Sequence, residues 1–294
     1  MSALKRVSNG TALCRKETDM KIGCMESVFH RFGEKRYEKM KEIGFLYADL
    51  ALDGELNGRT EEEYDENYRK EKALAAASGV SFHQVHGPWI YPPKDDTPEA
   101  RERRADVMRR SLRAAAILGA PHWVIHPLMP FGTGAEPDYD EFWRINLDFF
   151  RALLPCARQY GVTICFENMP MTKLRISPPD ETLRFVREMD DEHFQFCLDT
   201  GHSNIRGISP AEAVRMAGTH LRALHVHDNC GKRDEHGFPF FGTVDWREFM
   251  CSLRESSFDG VLSIESKLSA KLSNETSEDA LRLLYRLAEE LLNY

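Results

Sequence analysis

The sequence predicts an α/β fold of one kind, a single (β/α)8 TIM barrel, and two observations lead to it. Short apolar runs alternate with helix-like segments eight times from residue 20 onward, and eight strand–helix units in about 270 residues are typical of this barrel. Six of the runs also end in a histidine or a carboxylate. Because parallel barrel strands bring their C-terminal ends to one face, those polar ends should converge there.

The eight runs are rich in Val, Ile, Phe and Cys, which is typical of strands buried on both faces. They cover residues 20–25, 44–50, 82–86, 123–126, 162–167, 196–199, 224–228 and 261–265. Burying a carboxylate or an imidazole at the end of such a strand is costly unless a charged group receives it. The recurrence therefore indicates a shared polar site, and a metal site is the most economical kind.

The helix-like segments carry recognisable end signals. Thr60 opens one with a Thr-x-x-Glu capping box, Pro210 stands at the first position of another, and Gly161 is a C-cap signal. The predicted helices cover residues 34–43, 60–78, 97–118, 138–160, 179–189, 209–217, 246–255 and 277–292. A doubly wound open sheet would carry a glycine-rich phosphate turn after its first strand. Residues 23–27 form no such turn, so no nucleotide cofactor is expected.

Composition indicates one domain. Hydrophobic residues make up 42% and charged residues 29% of the 294 residues, and no Pro/Gly/Ser-rich linker interrupts the pattern. We expect a loose N-terminal extension over residues 1–19, without the apolar region of a secretory signal, and the barrel over residues 20–294. The seven cysteines include no CxxC pair, which favours a reduced, cytoplasmic setting. No apolar stretch is long enough to span a membrane.

The net charge of the chain indicates which classes of partner it binds. The net charge is −8, and residues 61–66 are predominantly acidic, whereas nucleic-acid binders usually present a basic face. A nucleic-acid partner is therefore not favoured, and no arginine cluster in the sequence marks a phosphate site. The oligomeric state stays open, with a homo-oligomer as one option.

Four strand ends supply the candidate metal ligands. Neighbouring strand ends lie close together in a barrel, so Glu167, Asp199, His225 and Glu265 could surround one divalent ion. Mixed nitrogen and oxygen ligands suit Zn²⁺ or Mn²⁺. One to three ions are expected, because further potential ligands end or follow the adjacent strands: His86, His126, His202, Asp234 and His236.

Three residues are candidates for substrate contact: His202, His227 and Trp89. His227 has the same strand parity as His225, so we expect it to line the pocket. Trp89 follows the third strand and could cover one face of a sugar. His202 could hold substrate oxygens. His83 has opposite parity to His86 and is expected to have a structural role.

At the level of motifs, the chain resembles the xylose-isomerase-like TIM-barrel superfamily, and within it the sugar phosphate isomerase/epimerase group. The segments that carry the resemblance are Phe-Glu-Asn-Met-Pro (166–170), Cys-Leu-Asp-Thr-Gly-His (197–202), Leu-His-Val-His-Asp-Asn (224–229), Gly-Thr-Val-Asp-Trp (242–246) and Ser-Ile-Glu-Ser (263–266). The resemblance implies that the four strand-end residues bind the metal and that Glu167 and Glu265 exchange a substrate proton.

The same superfamily includes endonuclease IV, whose three-zinc ligand set is matched position by position. The matching residues are His86, His126, Glu167, Asp199, His202, His225, Asp234, His236 and Glu265. The strand-five motif around Asn168 resembles the isomerases instead, and His227 stands where many relatives carry a lysine.

The favoured hypothesis is a metal-dependent sugar (or sugar phosphate) isomerase or epimerase acting on a small carbohydrate. One of the two glutamates removes the proton alpha to a carbonyl, the metal stabilises the enediolate, and the other glutamate returns the proton. The alternatives are an endonuclease IV-like zinc phosphodiesterase, a lyase, dehydratase or deglycosidase that begins with the same proton abstraction, and a non-catalytic metal-binding barrel.

Overall fold

The strands form one parallel barrel, and the predicted fold class is confirmed. The structure is a computed structural model that describes residues 20–89 and 93–294; the expected extension, residues 1–19, lies outside the described residues. The strands are β1 (Lys21–Met25), β2 (Tyr47–Ala51), β3 (Ser81–His86), β4 (His122–Ile125), β5 (Thr163–Glu167), β6 (Phe194–Asp199), β7 (Leu221–His225) and β8 (Val261–Ile264).

From β1 to β6 each strand pairs in parallel with the next strand in chain order, and β1 also pairs with β8. Beyond the end of β7, Val226 bridges to Ile264. The Val226 amide donates to the Ser263 carbonyl over 2.8 Å, and the Glu265 amide donates to the Val226 carbonyl over 2.9 Å. These bonds join the chain after β7 to β8 at the level of the polar strand ends and close the barrel.

The helices surround the barrel in the order that the sequence predicts. They are α1 (Arg36–Ile43), α2 (Glu61–Ala77), α3 (Pro98–Leu118), α4 (Tyr139–Tyr160), α5 (Pro179–Met189), α6 (Thr200–Ile205), α7 (Pro210–Ala217), α8 (Trp246–Glu255) and α9 (Asn274–Leu292). The capping box of Thr60 and Glu63 is formed, and Gly161 ends α4 in the left-handed conformation. No helix in the described part of the chain is long and apolar enough to cross a membrane.

Three elements differ from the prediction. A 3-10 segment, Glu26–Lys35, precedes α1, and the short helix α6 starts directly at the end of β6. The strand β7 covers Leu221–His225, whereas the prediction placed it over residues 224–228. His227 therefore lies beyond the strand, where the alternation of side chains along a strand no longer determines which way its ring points.

The packing between barrel and helices is largely aromatic on one side. Phe166 on β5 stacks on Phe185 of α5 with ring centroids 4.9 Å apart, and Phe150 and Phe194 pack around them. All four side chains are fully buried. A separate buried cluster on β4 to β7 has small side chains, namely Val124, Cys165, Cys197 and Ala223. Burial raises the pKa of the Cys165 thiol and makes it a packing group.

Replacing Phe185 with alanine should destabilise the fold by about 3–5 kcal/mol, because the cavity loses contacts that the helix cannot close. The matched control is Phe241→Ala, since Phe241 is 67% exposed and its loss should change stability by no more than about 0.5 kcal/mol. Urea unfolding of both variants measures the difference. Similar losses in the two variants would contradict this account of the core.

Candidate metal centre

The predicted ligands meet at the C-terminal end of the barrel, in three clusters. The core cluster is Glu167, Asp199, His225 and Glu265; the histidine-pair cluster is His86, His126 and Glu167; the loop cluster is His202, His227, Asp234 and His236. Within each cluster the ligand atoms all lie within 4.8 Å of one another. Glu167 belongs to two clusters, so its two oxygens could bridge neighbouring ions.

The core cluster is built from the ends of four consecutive strands. Nδ1 of His225 lies 3.1 Å from Oε1 of Glu167 and 3.6 Å from Oε2 of Glu265. Asp199 is fully buried, and Glu167 and His225 are each 1% exposed. The buried Oε2 of Glu265 has no hydrogen-bond partner among the described residues. Such an atom is costly to bury unless a cation receives it, and this fits a metal site.

Asp49 on β2 orients the histidine of the core cluster, and the sequence prediction missed it. Its Oδ2 lies 3.1 Å from Nε2 of His225 and accepts hydrogen bonds from Nε2 of Gln84 over 2.6 Å and Oγ of Ser263 over 3.3 Å. A carboxylate that accepts the Nε2 proton leaves Nδ1 free to bind a metal. A buried acid inside the apolar run 44–50 was the available signal.

The histidine-pair cluster has spacings that suit zinc. Nε2 of His86 and Nε2 of His126 are 3.1 Å apart, and Oε2 of Glu167 lies 3.2 Å from the second and 3.5 Å from the first. Tetrahedral ligands at about 2.0–2.1 Å from zinc are separated by roughly 3.3–3.4 Å. The three atoms therefore need little movement to share one ion.

The loop cluster combines α6 with the loop after β7. Oδ2 of Asp234 lies 3.0 Å from Nε2 of His236, and its Oδ1 lies 3.5 Å from Nε2 of His202 and 3.8 Å from Nε2 of His227. His227 is fully buried, and its ring stacks on that of His236 at 4.2 Å. The structure thus places His227 among potential ligands, whereas the sequence suggested contact with substrate.

Backbone carbonyls fix the ring nitrogens of three histidines. Nδ1 of His86 lies 2.7 Å from the Gly87 carbonyl, Nδ1 of His202 lies 2.9 Å from that of Asn168, and Nδ1 of His236 lies 2.9 Å from that of Glu265. Because a carbonyl only accepts, Nδ1 carries the proton in each ring. The Nε2 lone pair is left for a metal, as is usual for histidine ligands.

Asn168 joins the ends of β5 and β6. Its Nδ2 donates to the Asp199 carbonyl over 3.1 Å, and its Oδ1 accepts from the Asp199 amide over 2.9 Å. Oδ1 of Asp199 also caps α6 by accepting from the His202 amide over 2.6 Å. At Gly201 a Cβ would lie 2.0 Å from Cε1 of His227, so only glycine allows this approach. The Asp-Thr-Gly-His sequence therefore places two ligands with one turn of helix.

A second anchor holds the loop that carries Asp234 and His236. Asp228 exchanges backbone hydrogen bonds of 2.9 and 2.8 Å with Gly237. Its Oδ2 accepts from the indole Nε1 of Trp246 over 2.9 Å. The loop is thereby tied to the start of α8, and His236 is held in a left-handed backbone conformation with φ of 47°. This preorganisation limits the entropy cost of forming a metal site there.

Charge is balanced by histidine protons in this arrangement. Burial opposes ionisation of Glu167, but the charge of the neighbouring His225 lowers its pKa well below the usual value. Burial likewise opposes protonation of His202, yet Asp199 and Asp234 raise its pKa to about 10. Burial raises the pKa of Glu265. Because a bound cation would replace the imidazolium protons, metal binding and proton release should be linked.

A cavity of about 520 Å³ opens above the clusters, a volume typical of small-molecule sites. Glu167, His202 and Glu265 line its polar side, and Trp89 and Met169 line its apolar side. Trp89 is 49% exposed, and its ring lies 5.7 Å from that of His126. The structure therefore puts Trp89 and His202 where a substrate could contact them. His83 does not line this cavity. The centroid of its ring lies 4.7 Å from that of the His122 ring.

Residues 37–287 match the family model described as "Xylose isomerase-like TIM barrel". A D-psicose 3-epimerase of Ruminiclostridium cellulolyticum is 26% identical over 236 residues, which are 78% of this chain and 76% of the relative. A probable endonuclease 4 of Haloarcula marismortui is 29% identical over 192 residues, or 58% and 65% of the two chains.

An uncharacterized protein of Methanocaldococcus jannaschii is 30% identical over 194 residues, and the match covers 62% of this chain and 64% of that relative. The chain thus spans slightly less than two thirds of the length of two of these three relatives. Among solved structures, a D-tagatose 3-epimerase-like protein superposes with a TM-score of 0.74 at 25% identity, over 93% of this chain and 98% of that one.

Proposed function

Since the chain belongs to the xylose isomerase-like TIM-barrel family, we propose that it is a divalent-metal-dependent isomerase or epimerase of small sugars. The observation that carries this proposal is the placement of two glutamates, Glu167 and Glu265, in one metal-ligand cluster facing one cavity. Two carboxylates that face one substrate can remove a proton from one face of a carbon and return one to the opposite face, which a single base on one side cannot do.

The core cluster is the site that we assign to the catalytic ion, Zn²⁺ or Mn²⁺. Its nitrogen and oxygen donors suit either metal, and the Glu265 oxygen that accepts no hydrogen bond from the described residues fits a bound cation. When bound, the ion supplies Lewis-acid polarisation of the substrate carbonyl. Asp49 contributes by holding His225 in the orientation that leaves Nδ1 for the metal.

Proton transfer falls to the two glutamates in this proposal. One carboxylate removes the proton alpha to the carbonyl, and the other delivers a proton to the neighbouring carbon or to the opposite face. His202, which lines the cavity, holds substrate oxygens, and the Trp89 ring covers an apolar sugar face. The epimerase names among the relatives support the same reaction class.

The second candidate function is a zinc phosphodiesterase, and a specific observation favours it. All three clusters are formed, whereas one cluster suffices for an enolising isomerase. A probable endonuclease 4 also stands among the relatives. Against this candidate stand the net charge of −8 and a cavity sized for a small molecule.

One experiment separates the two candidates. Protein loaded with Zn²⁺ or Mn²⁺, with the ions counted per chain, is incubated with a panel of ketoses in D₂O, and in parallel with duplex DNA containing an abasic site. The isomerase should convert at least one sugar and place deuterium on the carbon alpha to the carbonyl, even if incorporation is partial.

The matched control is Glu192→Gln, because Glu192 is exposed and precedes β6, at the end of the barrel away from the clusters. It should keep the sugar activity of the wild type. If metal-loaded protein incises abasic DNA and turns over no sugar, the proposed function changes from isomerase to phosphodiesterase.

A further inference from the structure

Three cationic side chains converge on a second cavity beside the metal centre. Lys173 follows β5, and Lys232 and Arg233 follow β7. They line a cavity of about 590 Å³ together with Thr133 and Thr172. The sequence separation of about 60 residues hides this grouping, because the barrel topology alone brings the β5 and β7 loops to the same rim.

These cations lack the ion pairs that are common elsewhere in the protein. Among the described residues, no carboxylate lies within 4.0 Å of the charged group of Lys173, Lys232 or Arg233. By contrast, Arg113 pairs with two acids. The one acid that lines this cavity is Asp234, whose oxygens face His202 and His236. Unpaired positive charge is thus concentrated at one place on a chain whose net charge is −8.

The second cavity adjoins the one above the metal clusters. Pro170, Met171 and Asp234 line both. A molecule whose reacting carbon lies at Glu167 and Glu265 could therefore extend over Pro170 and Met171. Its far end would reach the three cations and the hydroxyls of Thr133 and Thr172.

We propose that this second cavity binds the phosphate group of a phosphorylated sugar, so that the natural substrate is a sugar phosphate monoester. The inference rests on the isomerase function proposed above and names its substrate class. A dianionic monoester matches several unpaired cations better than a neutral hydroxyl does, and hydroxyl donors beside the cations complete its hydrogen bonds. A ligand with a single carboxylate carries only one negative charge, so it would leave more of the positive charge uncompensated than a phosphate dianion does.

The test compares matched ligands and matched variants. Metal-loaded protein is assayed with ketohexoses and with their 1- and 6-phosphates, and the ratio of kcat/KM for ester over sugar is recorded. The ratio should exceed about 10 in the wild type, because each charge-assisted hydrogen bond contributes roughly tenfold or more. The double substitution Lys173→Gln with Lys232→Gln should lower the ratio by about 10- to 100-fold. The control Lys70→Gln, on the exposed face of α2, should keep the wild-type ratio.

Calorimetric binding of fructose 6-phosphate and of fructose keeps the pocket testable apart from the isomerase activity. If no sugar is turned over but the double variant binds the ester more weakly than wild type does, the pocket is supported and the proposed function fails. Turnover of neutral sugars with an ester-to-sugar ratio near 1 contradicts phosphate binding in the second cavity but supports the isomerase function. The small-molecule assignment is overturned if the protein binds neither sugar phosphate and the double variant binds abasic duplex DNA more weakly than wild type does.

Discussion

Replacing Glu167 or Glu265 with glutamine should reduce sugar turnover by about 10²- to 10⁴-fold, the usual contribution of general acid–base catalysis. Glutamine keeps the shape of the side chain and removes the ionisable oxygen. Deuterium exchange at the alpha carbon should fall in parallel with turnover in whichever variant loses the abstracting base. Rates in D₂O with the preferred sugar provide the measurement.

Both glutamates also belong to the core cluster, so metal content must be measured in each variant. Activity per bound ion separates lost proton transfer from lost metal, and Glu192→Gln serves as the exposed control. A variant with full metal content and wild-type turnover at either position would exclude that glutamate from proton transfer.

Replacing His225 with alanine should lower the affinity of the core cluster for the proposed divalent ion by at least about 100-fold. Loss of an outer hydrogen bond to a ligand typically costs about 10- to 100-fold in metal affinity, and loss of the ligand itself should cost more. The substitution also leaves Glu167 and Glu265 without the imidazole that lies 3.1 and 3.6 Å from them. Competition with a chelator of known affinity gives the measurement.

The structure offers a graded series for this test. Asp49→Asn keeps the side-chain shape but weakens the acceptor for Nε2 of His225, so its affinity loss should fall in the 10- to 100-fold range. His83→Ala is the histidine control, because its ring packs against Tyr47 and His122. Equal metal affinity in wild type and His225→Ala would remove this histidine from the metal site.

Metal binding should also appear as thermal stability. An ion that binds only the folded chain stabilises it by about 4.1 kcal/mol at 1,000 times its dissociation constant. That gain should be largest in the wild type and smaller in Asp49→Asn and His225→Ala, in the order of their affinities. The buried carboxylates of the centre give the physical reason, since the positive charge beside Glu167 and Asp199 comes from histidine protons when no cation is bound.

The sequence by itself determined the fold class and most helix positions. Eight alternations of strand and helix leave few other topologies, and local signals such as Thr60, Pro210 and Gly161 act within one turn of helix. The structure likewise brings together the nine residues that strand ends and the motif resemblance singled out. These features are readable because each depends on short-range patterns and on the rule that parallel strands end at one rim.

Tertiary structure alone decided the grouping of these residues and their supports. The sequence did not indicate that Glu167 joins two clusters, that His227 is buried against Asp199, or that Asp49 orients His225 across the barrel. It also did not indicate that Lys173 lines the same cavity as Lys232 and Arg233. Each of these contacts joins segments far apart in the chain, through loops whose paths depend on packing and hydrogen bonds that no local pattern encodes.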